Sequence, residues 1–166
     1  MRELHTLSVL VEDKPGVLAR VASLFARRGF NIHSLAVGPT AEEGRSRMTV
    51  AVEIDELEQV KKQLHKLVNV IKITEFKPET SVEKETIMVR VSMPVGKRGD
   101  VLELVGIFGA TVVDVSPSSL MFSLTGNPRR VNDFLDLVRP FGIVDLVKSG
   151  RIALARESKT RKPKKH

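Results

Sequence analysis

Residues 4–11, L-H-T-L-S-V-L-V, are apolar and β-branched enough for a buried strand. After E-D-K-P-G, apolar residues return at Val17, Leu18, Val21, Leu24 and Phe25, three and four apart, which predicts a helix with one apolar stripe. Pro15 suits the first helical turn, where its missing N–H costs nothing. Arg27, Arg28 and Gly29 suit its end, with cations near the C-terminus and a glycine just beyond. Residues 30–37, F-N-I-H-S-L-A-V, and 47–54, R-M-T-V-A-V-E-I, alternate apolar and polar positions as half-buried strands do. Gly38, Pro39 and A-E-E-G form the turn between them. Asp55 is an N-cap candidate, with Glu58 at capping-box spacing. Leu57, Val60, Leu64, Leu67 and Val68 then mark the apolar side of a second helix, and residues 70–76 a fourth strand.

The same order then recurs. Residues 77–84 are polar, contain a proline and read as a linker. Residues 86–93 predict a strand, 94–99 a loop rich in glycine and cation, and 101–108 a helix with Val101, Leu104, Val105 and Phe108 on one face. Residues 111–115 and 120–124 are strands flanking S-P-S-S. Gly126, Asn127 and Pro128 start a helix carrying Val131, Phe134, Leu135 and Val138, which Pro140 and Gly142 end. Residues 143–147 form a last strand, which 152–154 extend. The pattern is β-α-β-β-α-β twice: an α+β chain of two tandem ferredoxin-like domains, at 1–78 and 85–157, joined by 79–84. Right-handed crossovers place strand one beside strand three in each antiparallel sheet, with both helices on one face. The opposite face needs a cover, and units of roughly 75 residues are small enough to gain from one.

The chain has 166 residues, 42% of them hydrophobic, with no Trp, Tyr or Cys. Without cysteine there are no disulfides, thiolate metal sites or cysteine nucleophile. The N-terminus, M-R-E-L-H-T-L, is not a secretory signal. No apolar run approaches the length of a membrane span, so a cytoplasmic location is expected. The net charge of +7 belongs mostly to the end of the chain: between Arg156 and His166 six Lys or Arg face one Glu. Residues 158–166 read as a basic, disordered tail that supports only unspecific attraction to nucleic acid.

Catalytic chemistry is thin. His5, His33, His65 and His166 are scattered, and none has a metal-ligand spacing. His33 reads as a surface or interface histidine. No G-x-S-x-G and no phosphate loop is present; G-K-R-G at 96–99 lacks the rest of that motif and reads as a solvent-exposed turn. No RNA-binding consensus strand is visible among the seven Phe. Neither catalytic nor metal residues are assigned, and no cofactor is expected on this chain.

The junction at residues 12–17 carries a binding signal. A helix N-terminus offers N–H groups and partial positive charge to a carboxylate, and Asp13 just before it offers an acceptor to an ammonium group. Together they describe a free amino acid. The alternative is that Asp13 only caps the helix and Pro15 and Gly16 only make the turn.

Residues 7–40, with S-R-M-T-V and K-Q-L-H-K-L-V-N-V-I-K-I, resemble the ACT domain of the small regulatory subunit of acetolactate synthase (acetohydroxyacid synthase). I-F-G-A-T-V-V-D-V-S-P-S-S, T-G-N-P-R-R and R-P-F-G-I-V-D-L-V-K-S-G-R-I-A-L-A-R resemble that subunit's C-terminal domain. The resemblance covers residues 3–157 and omits the tail. It implies a non-catalytic chain that binds and activates a catalytic large subunit, itself using thiamine diphosphate, Mg2+ and FAD. It further implies feedback inhibition by valine, or by leucine or isoleucine, in branched-chain amino-acid synthesis. The partners implied are that subunit, a second copy through the ACT domains and the amino-acid effector, with no membrane and no specific nucleic acid. The family's effector site lies between two protomers. Carried over, it comprises Asp13, Gly16, Val17 and Leu18 on the turn and helix start, and Asn31, Ile32, Leu35 and Gly38 on the strand. Asp13 and Gly38 stand where some members carry Asn and Ala, which leaves the effector's identity open. A stand-alone amino-acid sensor acting on another protein is the alternative.

Overall fold

A computed structural model describes residues 3–157; the basic tail lies outside the described residues. The first unit contains β1 (Glu3–Glu12), α1 (Val17–Arg27), β2 (Ile32–Pro39), β3 (Arg45–Ile54), α2 (Leu57–His65) and β4 (Val70–Phe76). The second contains β5 (Ser81–Ser92), α3 (Arg98–Ile107), β6 (Thr111–Val115), β7 (Ser119–Gly126), α4 (Pro128–Val138), β8 (Ile143–Lys148) and β9 (Ile152–Ala155). The sheets run β2-β3-β1-β4 and β6-β7-β5-β8, with β9 paired to the far half of β5. Both are ferredoxin-like, with the first strand of each unit beside its third.

Strand alternation puts Leu7, Val9 and Val11 of β1 and Met48, Val50, Val52 and Ile54 of β3 on one face. They pack with Val17, Val21 and Phe25 of α1 and Val60 and Leu64 of α2 into one core. In the second unit, Ile87, Val89, Val91, Phe122 and Leu124 meet Val101 and Val105 of α3 and Val131, Phe134, Leu135 and Val138 of α4. Fully burying each such aliphatic or aromatic side chain contributes about 1.5–3 kcal/mol. Phe134 also stands edge-on to Phe122, with ring centroids 6.1 Å apart.

α1 and α3 close alike. Gly29 N–H donates to Ala26 and Phe30 N–H to Phe25; Gly109 N–H donates to Gly106 and Ala110 N–H to Val105. Their starts differ. α1 begins at Val17, so Pro15 lies in the turn before the helix and not in its first turn. α3 begins at Arg98, directly after a 3-10 turn over Val95–Lys97, so G-K-R-G is half helix. Arg98 is no free solvent cation: its guanidinium donates to the carbonyls of Met93 and Ser116. α4 is capped as its sequence suggests, with Asn127 Oδ1 accepting from Arg130 N–H at 2.8 Å.

Four further expectations are corrected. The N-cap of α2 is Glu56, not Asp55, and Glu58 instead pairs with Lys61. That helix ends at His65, leaving Val68 92% exposed. The expected linker is half strand: Lys77 to Thr80 turn, and Ser81 to Lys84 already belong to β5, pairing with residues 152–155. Residues 152–154 therefore do not extend β8. Gly150, at φ +84°, turns the chain so that β9 reaches the other half of β5.

This pairing covers the first sheet. Thr6, Ser8, Thr49 and Ala51 lie on the face away from its helices, yet all are buried. The β5–β9 ribbon lies over that face, with Ala153 buried and an open groove of about 580 Å³ left between ribbon and β2. The cover expected for this face comes in part from the second unit, over small and hydroxyl side chains rather than an apolar patch.

Candidate functional site

β1 delivers the chain to the site. Asp13 N–H donates to Gly44 O at 2.8 Å, tying the turn to the β2–β3 hairpin, and Val17 N–H donates to Lys14 O at 3.3 Å. Gly16, the N-cap, sits at φ +83°, a left-handed conformation that L side chains rarely adopt. Having no side chain, it leaves the helix start without a side-chain acceptor. The helical pattern in turn leaves the N–H groups of Leu18 and Ala19 without i−4 partners. Asp13 is not the N-cap, and its carboxylate stands exposed beside this helix start.

The other expected residues fall on β2. Asn31 precedes it and is exposed; Ile32, Leu35 and Gly38 are half-buried. Ile32 and Leu35 pack on the first core, while Gly38 pairs with Arg47 on the opposite face. Val17 is buried at 4% exposure in the same core, so its side chain faces inward rather than toward a ligand. Leu18 is 44% exposed next to it.

One chain brings together only part of this set. β1 and β2 both run antiparallel to β3 and hence parallel to each other. Asp13, Gly16, Leu18 and Gly38 therefore share one end of the sheet. Asn31 and Ile32 stand at the other, separated by α1, whose 11 residues span about 16 Å at about 1.5 Å each. β2 is one of the two edge strands of this sheet, β4 being the other.

Residues not singled out in the sequence surround the junction. Lys14 Nζ lies 2.7 Å from Glu12 Oε2, Asn69 Nδ2 donates to the same oxygen at 3.1 Å, and Arg20 Nη1 donates to Asn69 Oδ1 at 2.6 Å. These contacts, the Lys14 hydrogen bond first and Asn69 second, hold the Glu12 carboxyl below its ordinary range. No local pattern signals the network, because Glu12 and Asn69 are 57 residues apart.

A second contact reaches β2 from the other unit. Arg151 N–H donates to Ser34 Oγ at 3.3 Å, and a Cβ on Gly150 would stand 3.1 Å from Leu35 O. Glu85, 5% exposed, lies 3.9 Å from both Lys148 Nζ and Arg151 Nε. His33 sits nearby, exposed and 3.0 Å from Glu53.

Two family models match this architecture. Residues 7–72 match the AHAS small subunit-like ACT domain, and residues 84–157 match the small subunit of acetolactate synthase. The acetolactate synthase small subunit of Mycobacterium bovis is 54% identical over 154 residues, 92% of each chain. The probable acetolactate synthase small subunit of Archaeoglobus fulgidus is 52% identical over 157 residues, 93% of this chain and 98% of that one. The crystal structure of the Thermotoga maritima acetolactate synthase small subunit superposes with a TM-score of 0.83 at 36% identity, covering 94% of this chain and 99% of that one.

Proposed function

The chain belongs to the acetolactate synthase small-subunit family, and from that membership we propose that it is the regulatory partner of a thiamine-diphosphate-dependent catalytic subunit, raising its turnover and relaying feedback inhibition by valine. The chemical step and its cofactors belong to the partner. This chain supplies binding and coupling only. No helix of the described residues is long and apolar enough to cross a membrane.

The observation that carries the effector site is the placement of β2. It is an edge strand of the first sheet, touched by the second unit only near Ser34 and Leu35 among the contacts described above, and it runs parallel to β1. When two copies pair antiparallel along β2, the partner's Asn31 and Ile32 arrive beside Gly38, at the end of the sheet that holds Asp13 and Gly16. The junction then offers Asp13 to the ammonium group and the start of α1 to the carboxylate. The partner's strand supplies the apolar wall for a branched side chain. A ligand shared by two protomers favours one arrangement of the pair. It shifts the complex only as far as its affinities for the arrangements differ, and a coupling of about 1–3 kcal/mol suffices.

The test is direct. Adding the purified chain to the cognate catalytic subunit raises acetolactate formation, and valine reverses the gain. No change on mixing contradicts the reading. Asn31→Ala or Gly16→Asp weakens inhibition more than activation; equal loss of both points away from this site.

A further inference from the structure

We propose that Asn69 is the positioning residue of the effector site, holding the end of β1 and the start of α1 at the spacing that an amino acid's two charged ends require. The inference rests on the effector-site reading above and names the part of the chain that shapes it.

Asn69 lies in the turn between α2 and β4 and is only 8% exposed. It grips Glu12, the residue before Asp13, twice: its carbonyl accepts from Glu12 N–H at 2.9 Å, and its Nδ2 donates to Glu12 Oε2 at 3.1 Å. Its Oδ1 accepts from Arg20, and Arg20 N–H closes the first turn of α1 on Gly16 O at 3.1 Å. One amide side chain thus ties the residue beside the ammonium acceptor to the first turn that receives the carboxylate. The register shift between β1 and β4 at Leu10 and Val11 falls at this spot, with Val11 opposite Val70. The sheet ladder there is irregular, and the side-chain bonds fix the strand end in its place.

The geometry also assigns direction. Asn69 must donate to Glu12 and accept from Arg20 at once, which an amide does and a carboxylate does not. Asn69→Asp places two carboxylates together and breaks the first bond while keeping the second. Pairing it with Glu12→Gln restores a donor and an acceptor with their roles exchanged.

The experiment compares the full chain, Asn69→Asp, Glu12→Gln and the double variant by amide exchange over residues 13–19 and by calorimetric titration with valine. Asn69→Asp is expected to speed exchange over 13–19 about tenfold and weaken valine binding about tenfold, with the amides of Val50 and Val52 unchanged. Glu12→Gln stays within about twofold of the parent, and the double variant recovers most of the loss. Unchanged exchange and affinity in Asn69→Asp overturn the proposal. So does a double variant that folds but recovers neither, which also decides the matter if Asn69→Asp alone does not fold. If the parent chain binds no valine, the effector-site reading fails, and exchange over 13–19 still decides whether Asn69 holds the junction.

Discussion

The two units share a frame and part company at their first strand–helix junction. α1 and α3 end on matched hydrogen bonds around Gly29 and Gly109, and both pack an apolar stripe on a four-strand face. At the start of α1, however, a left-handed glycine leaves the helix end open beside an exposed Asp13. At the start of α3, Arg98 folds its guanidinium back onto the carbonyls of Met93 and Ser116. The common frame accounts for the fold, and the departure from it accounts for the site. One unit keeps an open helix start, where the zwitterion site is proposed, while the other folds an arginine side chain back beside its own.

The open faces differ in the same sense. The first sheet presents Thr6, Ser8, Thr49 and Ala51, all buried beneath the β5–β9 ribbon. The second presents Met88 and Val147, 45% and 54% exposed, with Arg90 and Asp114 paired at 2.9 Å beside them. The first face is thus covered in part within the chain, with a groove left beside β2, while these residues of the second face stand exposed.

The comparison breaks most visibly in the cores. Phe25→Ala and Phe134→Ala each remove a fully buried ring and are expected to cost about 3–5 kcal/mol, read from denaturant titration. A markedly smaller loss in one unit would show that its core is not the equal of the other's. Next come the junction glycines. Gly16→Ala forces an L side chain into a left-handed conformation and costs about 1–2 kcal/mol. Gly99, inside α3 with negative φ and nothing within 4 Å of a Cβ, is expected to gain up to about 1 kcal/mol as alanine. Equal effects at the two positions would erase the distinction drawn between the junctions. Asn127→Ala removes the one side-chain cap bond recorded among the described α-helices and costs about 1 kcal/mol. The smallest effect concerns pH. Glu12 is held below its ordinary value of 4.5 in the folded chain. Its contribution is present above the unfolded value and fades as pH falls through the folded one. Thermal melts of Glu12→Gln against the parent should therefore converge on acidification from about pH 5 to 3; a gap that widens would reverse the sign.

The repeat and its elements were legible because alternation and three-to-four spacing report burial directly, as at Leu7, Val9 and Val11 or Val131, Phe134 and Leu135. Local rules failed where pairing or backbone conformation overrode them. S-V-E-K looks like a linker because its stability as a strand comes from residues 152–155, far along the chain. Pro15 favours a helical first turn, yet Gly16 in the left-handed region delays the helix to Val17. At the candidate site, the types of residue at 13, 16 and 31 were readable from the junction and the family resemblance. The inward orientation of Val17 was legible in the helical stripe, against its place in the carried-over site, whereas the grip of Asn69 on Glu12 was not, since it depends on a tertiary contact with no local signature.

The central claim is that two copies complete each effector site between them, and mixed pairs test it most directly. Chains carrying Gly16→Asp and Asn31→Ala each spoil every site in their own pair. In a mixed pair, one seam joins the two altered halves and the other joins two unaltered ones. Calorimetry on tagged mixed pairs is expected to recover valine binding at parental affinity in half of the sites. No recovery in folded mixed pairs would contradict the account and place the site within a single chain.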